Sequence, residues 1–206
     1  MVPFDIKDFL RPEIHRMDEY TPSMPLEVLS RRLNLPEERI VKLDANENPY
    51  GPSPKVREVL GNYRHYHIYP DSMQSRIREA VQGYIGVDKA HIVFGNGSDE
   101  LIDLAMRLFI EPGDVVIDCP PTFAMYSFYA TLNGAEVVEV PRRAEFSLDV
   151  EGVEKAAREA KLLFLSSPNN PDGSVTPRDV IMHLLKLPLI VVVDEAYAEF
   201  SGESVV

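Results

Sequence analysis

The chain has 206 residues, 45% of them hydrophobic, enough to bury the core of one large domain or of one domain with an appendage. A formal net charge of -12 offers no general attraction for nucleic acid or anionic lipid, so small molecules or another protein are the expected partners. Cys119, the only cysteine, excludes an intrachain disulfide and a cysteine zinc motif and fits a reducing compartment. Met1 to Tyr20 is too charged for a signal peptide, and no apolar run approaches membrane-spanning length, so the expectation is a cytoplasmic protein with no membrane partner.

Up to Tyr69 the sequence is rich in proline and turn residues, with a helical pattern at Leu26 to Leu33 and a strand pattern at Ile40 to Leu43. This part reads as an N-terminal arm with the start of a small domain, residues 1–69. A helix is expected over Ser72 to Tyr84. Strand-like runs then follow at His91 to Phe94, Asp114 to Asp118, Glu136 to Val140, Leu162 to Ser166 and Leu189 to Asp194. Helical patterns separate them at Asp99 to Ile110, Phe123 to Leu132, Val153 to Ala160 and Pro177 to Leu185. Apolar strands alternating with amphipathic helices predict an α/β domain over 70–206: a mainly parallel sheet with helices on both faces and ligands beyond the strand carboxyl ends.

The segments that can carry chemistry sit just after the expected strands. Gly95 to Glu100 opens a helix, where backbone N–H groups and the helix dipole favour an oxyanion, although the motif taken alone reads first as an ordinary helix start, with Ser98 as the cap and Asp99 and Glu100 complementing the dipole. Any anion there must be held by N–H groups and the Ser98 hydroxyl, with both carboxylates turned away. Leu189 to Tyr197 is a buried strand ending in Asp194, a carboxylate suited to a magnesium site, a pyridine nitrogen or a plain helix cap. No glycine-rich loop ending in Gly-Lys-Ser or Gly-Lys-Thr is present, so the ATPase reading is rejected.

Ser166 to Gly173 must turn, because its prolines forbid helix and its asparagines suit turns; Asn170 there can donate to a phenolate oxygen that Tyr197 also contacts. Phe123, after Pro120-Pro121-Thr122, offers either a stacking face for an aromatic ring or a core side chain. His65 and His67, interleaved with tyrosines, lack a third ligand of metal spacing, so no metal is assigned. No serine-histidine-acid arrangement appears.

The order of these motifs is more specific than any one of them. Lys42 to Ser53, Tyr69-Pro70-Asp71, Gly95 to Glu100, Pro121-Thr122-Phe123, Ser167 to Gly173 and Asp194 to Tyr197 together closely resemble the histidinol-phosphate aminotransferase family, whose members have the type I fold of pyridoxal-phosphate-dependent enzymes. The resemblance implies a cytoplasmic homodimer that exchanges an amino group between L-histidinol phosphate and 2-oxoglutarate in histidine biosynthesis. It assigns Ser98 and Asp99 to the cofactor phosphate, Phe123 to ring stacking, Asn170 and Tyr197 to the phenolate oxygen and Asp194 to the ring nitrogen. Tyr50 would reach the phosphate of the neighbouring subunit's cofactor, and Tyr20 and Asn46 would bind substrate.

Two departures accompany the resemblance. Asp172 stands where the family usually has threonine, adding a negative charge near the cofactor loop. The family's Schiff-base lysine lies well downstream of Asp194 to Tyr197, whereas these residues stop nine positions after Tyr197. The expectation is therefore an incomplete large domain that lacks transaminase turnover alone, with no substitute in Lys155, Lys161 or Lys186. Threonine-phosphate decarboxylase, an aromatic aminotransferase of the same fold and a noncatalytic cofactor-binding or dimerisation module are the rival readings.

Overall fold

The computed structural model describes residues 4–17, 19 and 21–206, with the backbone alone at Arg16. It divides into two compact units, Asp18–Met73 and Met1–Met17 with Gln74–Val206.

In the smaller unit, α1 (Leu26–Leu33) ends on Asn34 in the left-handed conformation, whose N–H returns to the Ser30 and Arg31 carbonyls. Helix α2 (Pro54–Asn62) was not anticipated from the proline-rich composition around it. Pro54 opens that helix, where its fixed φ is preorganised and its missing N–H costs nothing. Ile40 to Leu43 forms no strand; its extended backbone finds no ladder partner among the described residues.

The larger unit begins with α3 (Ser75–Ile85) and α4 (Ser98–Phe109). Strand β1 (Val115–Asp118), helix α5 (Met125–Leu132), strand β2 (Glu136–Glu139) and helix α6 (Val150–Ala156) follow. Strand β3 (Ala160–Ser166), helix α7 (Arg178–Leu184), strand β4 (Ile190–Asp194) and the short α8 (Ala198–Ser201) complete it. The four strands are all parallel, in the order β2-β1-β3-β4.

Side-chain alternation along the strands builds two cores. Val116, Leu162 and Phe164 pack with Ile102 and Met106 of α4 and Tyr126 and Ala130 of α5 on one face. Ile117, Leu163 and Leu165 pack with Val153 of α6 and Ile181 and Leu184 of α7 on the other. Coverage on both faces explains why Leu162 to Leu165 is an unbroken apolar run.

His91 to Phe94, expected as a strand, is not one. A short 3-10 turn takes Lys89–His91, and the backbone of Phe94 is satisfied by a side chain instead of a neighbouring strand. The Gln74 amide accepts from the Phe94 N–H and donates to its carbonyl, both at 3.1 Å, replacing a ladder pair. Gln74 itself takes a left-handed φ of 56°, so α3 starts there, later than expected. Helix α6 lies ahead of its expected span because Ala160 already belongs to β3.

Candidate active site

The chain runs from β1 outward to β2, then returns past β1 to β3 and continues to β4. This reversal leaves a crevice beyond the carboxyl ends of β1 and β3, the place where open parallel sheets bind ligands. A cavity of about 240 Å³ opens there, just below the usual size range of small-molecule sites. Six residues selected from the sequence line it: Ser98, Asp99, Phe123, Asn170, Asp194 and Tyr197.

One wall is the N-terminus of α4. Gly97 holds φ +83° with extended ψ, a conformation open to glycine, and no side chain caps the helix. Its first N–H groups, which have no acceptor within the helix, border the cavity at Ser98 and Asp99. The Glu100 carboxylate turns back to accept from the Asn96 backbone N–H and, at 2.8 Å, from its side-chain amide. Gly95 makes room for this return: a Cβ there would sit 3.1 Å from Glu100 Oε2 and from Leu101. One of the two first-turn carboxylates is thereby directed into the loop, while Asp99 stays exposed at the rim.

A second wall comes from the loops after β1 and β3. Asn169, 2% exposed, accepts from the Thr122 hydroxyl at 2.8 Å and donates to the Pro121 carbonyl at 3.0 Å. It thus ties the Phe123 loop to the Asn170 loop. The latter is closed on itself by Gly173 N–H to Asn169 O at 2.7 Å and Asn169 N–H to Ser174 O at 2.8 Å. The Asn170 amide makes no hydrogen bond among the described residues and lines the cavity.

Asp172 is turned into its own loop, where it accepts from the Asn169 amide and, at 3.0 Å, from the Ser174 N–H. Partial burial opposes its charge, but the hydrogen bonds from Ser174 and Asn169 prevail and hold its carboxyl below the ordinary value. Its side chain is not among those bordering the cavity. The nearby Arg142 guanidinium is buried; it donates to the Phe146 carbonyl at 3.2 Å and reaches that of Ser166 at 3.5 Å.

Asp194, at the end of β4, forms the floor. Its Oδ1 accepts from the Ala196 N–H at 3.0 Å, and its Oδ2 accepts from the Tyr126 hydroxyl at 2.8 Å. The Asp194 backbone carbonyl also accepts from Ser167 N–H at 2.9 Å, joining the two strand ends. Tyr126 was missed in the sequence, although it lies three residues beyond Phe123, in the first turn of α5. It is fully buried, stacked on Phe164 at 4.9 Å and edge-on to Phe123 at 5.6 Å. Burial, reinforced by the negative Asp194, pushes its phenol well above the ordinary value, so it remains a neutral donor.

Tyr50 and Asn46 belong to the smaller unit. Tyr50 is exposed in a turn in which its N–H donates to Asn48 Oδ1 at 3.0 Å, and Asn46 has a left-handed φ of 52°. Tyr20 lies outside the described residues.

The chain is similar to several known proteins. The histidinol-phosphate aminotransferase of Roseiflexus castenholzii is 54% identical over all of this chain and 57% of its own length. The chloroplastic histidinol-phosphate aminotransferase of Nicotiana tabacum is 50% identical over 94% of this chain and 48% of its own. Among solved structures, histidinol-phosphate aminotransferase from Sinorhizobium meliloti, in complex with pyridoxal-5'-phosphate, superposes with a TM-score of 0.76 at 28% identity, over 92% of this chain and 51% of that one. The chain spans about half the length of the curated relatives it matches. The aminotransferase class I and II family matches residues 38–205, which include every wall of the cavity, and the chain belongs to that family.

Proposed function

We propose that this chain forms the cofactor cradle of a pyridoxal-phosphate-dependent aminotransferase that exchanges an amino group between L-histidinol phosphate and 2-oxoglutarate. The observation that carries this reading is one cavity on which uncapped helix N–H groups, an aromatic face, an amide with no hydrogen bond among the described residues and a carboxylate converge. That donor set fits a phosphorylated hydroxypyridine, with a partner for its anion, its ring face, its oxygen and its ring nitrogen. The similarity to named histidinol-phosphate aminotransferases supports the substrate.

When bound, the cofactor supplies a protonated pyridine ring that draws electron density from the reacting carbon of the substrate. The N–H groups of Ser98 and Asp99 and the Ser98 hydroxyl hold the phosphate. Phe123 covers one ring face, Asn170 and Tyr197 hold the ring oxygen, and Asp194 keeps a proton on the ring nitrogen. Tyr50 serves the phosphate of a partner subunit's cofactor, and Tyr20 and Asn46 contact substrate. The same reading makes the enzyme a cytoplasmic homodimer in histidine biosynthesis; among the described residues no helix is long and apolar enough to cross a membrane.

Among the described residues that line the cavity none is a lysine, so these residues bind the cofactor without a covalent bond. The test is an absorbance titration with pyridoxal phosphate, followed by borohydride reduction and intact mass. A saturable spectral change that Asp194→Asn weakens, with no stoichiometric reduced adduct, is the expected result. Absence of saturation, or indifference to Asp194→Asn, would sink the reading. A single reduced lysine whose spectrum responds to L-histidinol phosphate would overturn the noncovalent role.

A further inference from the structure

Asp194 does not stand alone at the cavity floor. Each of its carboxylate oxygens takes one donor from the chain, Oδ1 from the Ala196 backbone and Oδ2 from the Tyr126 hydroxyl. The first tie is local, two residues away, and moves with the strand end. The second spans 68 residues of sequence and comes from helix α5, so among the described residues it is the tie that fixes the carboxylate against the body of the domain. Tyr126 has little freedom of its own. It is fully buried, its ring lies 10° from parallel to Phe164 of β3, and its edge meets the Phe123 ring at 81°.

We propose that Tyr126 is a positioning residue that pins Asp194 through its hydroxyl and ties that carboxylate to the Phe123 ring, so that the partner for the ring nitrogen and the stacking face form one rigid unit. The inference rests on the cofactor reading given above. A buried phenol needs a hydrogen-bond partner wherever it sits, and that need alone would give it a purely structural role. The distinguishing property is coupling: a residue that acts through Asp194 loses its effect on the ligand once Asp194 no longer carries a carboxylate.

The experiment is a double-mutant cycle on the 206-residue chain, read by fluorescence titration with pyridoxamine 5'-phosphate, which has the ring nitrogen, phenolate and phosphate but cannot form an imine with surface lysines. Wild type, Tyr126→Phe, Asp194→Asn and the double variant are compared, with far-UV circular dichroism confirming that each is folded. Tyr126→Phe weakens binding about tenfold, the loss of one hydrogen bond to a charged group. In the Asp194→Asn background the same change alters binding less than about twofold. Equal effects in both backgrounds, or none with Asp194 intact, overturn the proposal while leaving the cofactor reading in place. Indifference of binding to Asp194→Asn itself overturns the cofactor reading and the proposal with it.

A second measurement needs no variant. In the native chain bound to the same probe, the Tyr126 hydroxyl proton is observable by NMR as a slowly exchanging resonance that moves on ligand addition. A hydroxyl that exchanges freely with solvent, or does not respond to the ligand, contradicts the proposal even if Tyr126→Phe fails to fold.

Discussion

The Thr122 hydroxyl donates to Asn169 Oδ1 at 2.8 Å, joining two loops 47 residues apart in sequence. Asn169 completes the link by donating to the Pro121 carbonyl at 3.0 Å, and it is almost fully buried in doing so. Phe123 and Asn170, the residues directed at the cavity, are each the next residue along from one end of this link. Replacing Asn169 by alanine removes both partly buried hydrogen bonds and leaves a gap where the buried amide sat, at a cost of about 2–3 kcal/mol in unfolding free energy. Thr122→Val, which removes a single bond, costs about 1 kcal/mol. Urea unfolding midpoints check both, and equal midpoints for Asn169→Ala and wild type would refute the clamp.

At the N-terminus of α4 a substitution separates ligand binding from stability. Ser98→Asp places a carboxylate in the first helical turn, where the dipole favours it by about 0.5 kcal/mol. The same charge opposes a phosphate. Thermal stability is therefore expected to hold or rise slightly while affinity for pyridoxal phosphate falls at least about tenfold. Affinity unchanged by Ser98→Asp would remove the phosphate from this helix end.

Asp118 introduces a pH dependence that the cavity chemistry does not use. It is 4% exposed at the end of β1, and burial, with Glu139 adding repulsion, pushes its carboxyl up to about 6 from an ordinary 3.8, against the opposing Cys119 N–H and Arg142. The folded state thus holds a proton that the unfolded state releases between those values, and stability falls as pH rises through that window. Asp118→Asn removes the penalty. The variant should match wild type near pH 4 and exceed it by about 2 kcal/mol at pH 8. A stability difference that does not change with pH would contradict this.

Cys119 is 1% exposed, and burial pushes its thiol up to about 12, so it is neutral and shielded at physiological pH. Iodoacetamide should leave the native chain unmodified over hours and label it promptly in denaturant, as read by intact mass. Native labelling at a rate near the denatured one would show that this strand end opens.

Much of the architecture was legible in the sequence because β3 is covered on both faces. Leu162 to Leu165 then reads as an uninterrupted apolar run, and the helices between strands show their own periodicity. Phe94 was misread because its hydrogen-bond partner is the Gln74 side chain, and an amide that imitates a strand leaves no periodic trace. Helix α2 was hidden because Pro54 marks a helix start as readily as a turn. Phe123, Asn170 and Tyr197 were legible as positions that follow strands and Asp194 as a strand end, whereas Ser98 and Asp99 were placed after an expected strand, His91 to Phe94, that does not form. Tyr126 was not, because a tyrosine within an apolar helix reads as core until the fold brings Asp194 to its hydroxyl. The Asp172 charge was legible, but its inward turn onto Asn169 and Ser174 was not.

The most direct test of the cofactor cradle is a crystal structure of the chain grown with pyridoxamine 5'-phosphate. The phosphate is predicted at the Ser98 and Asp99 N–H groups, the ring against Phe123, the ring oxygen at Asn170 and Tyr197, and the ring nitrogen on Asp194. A ligand seated elsewhere, or turned so that its phosphate leaves the α4 N-terminus, would contradict the account.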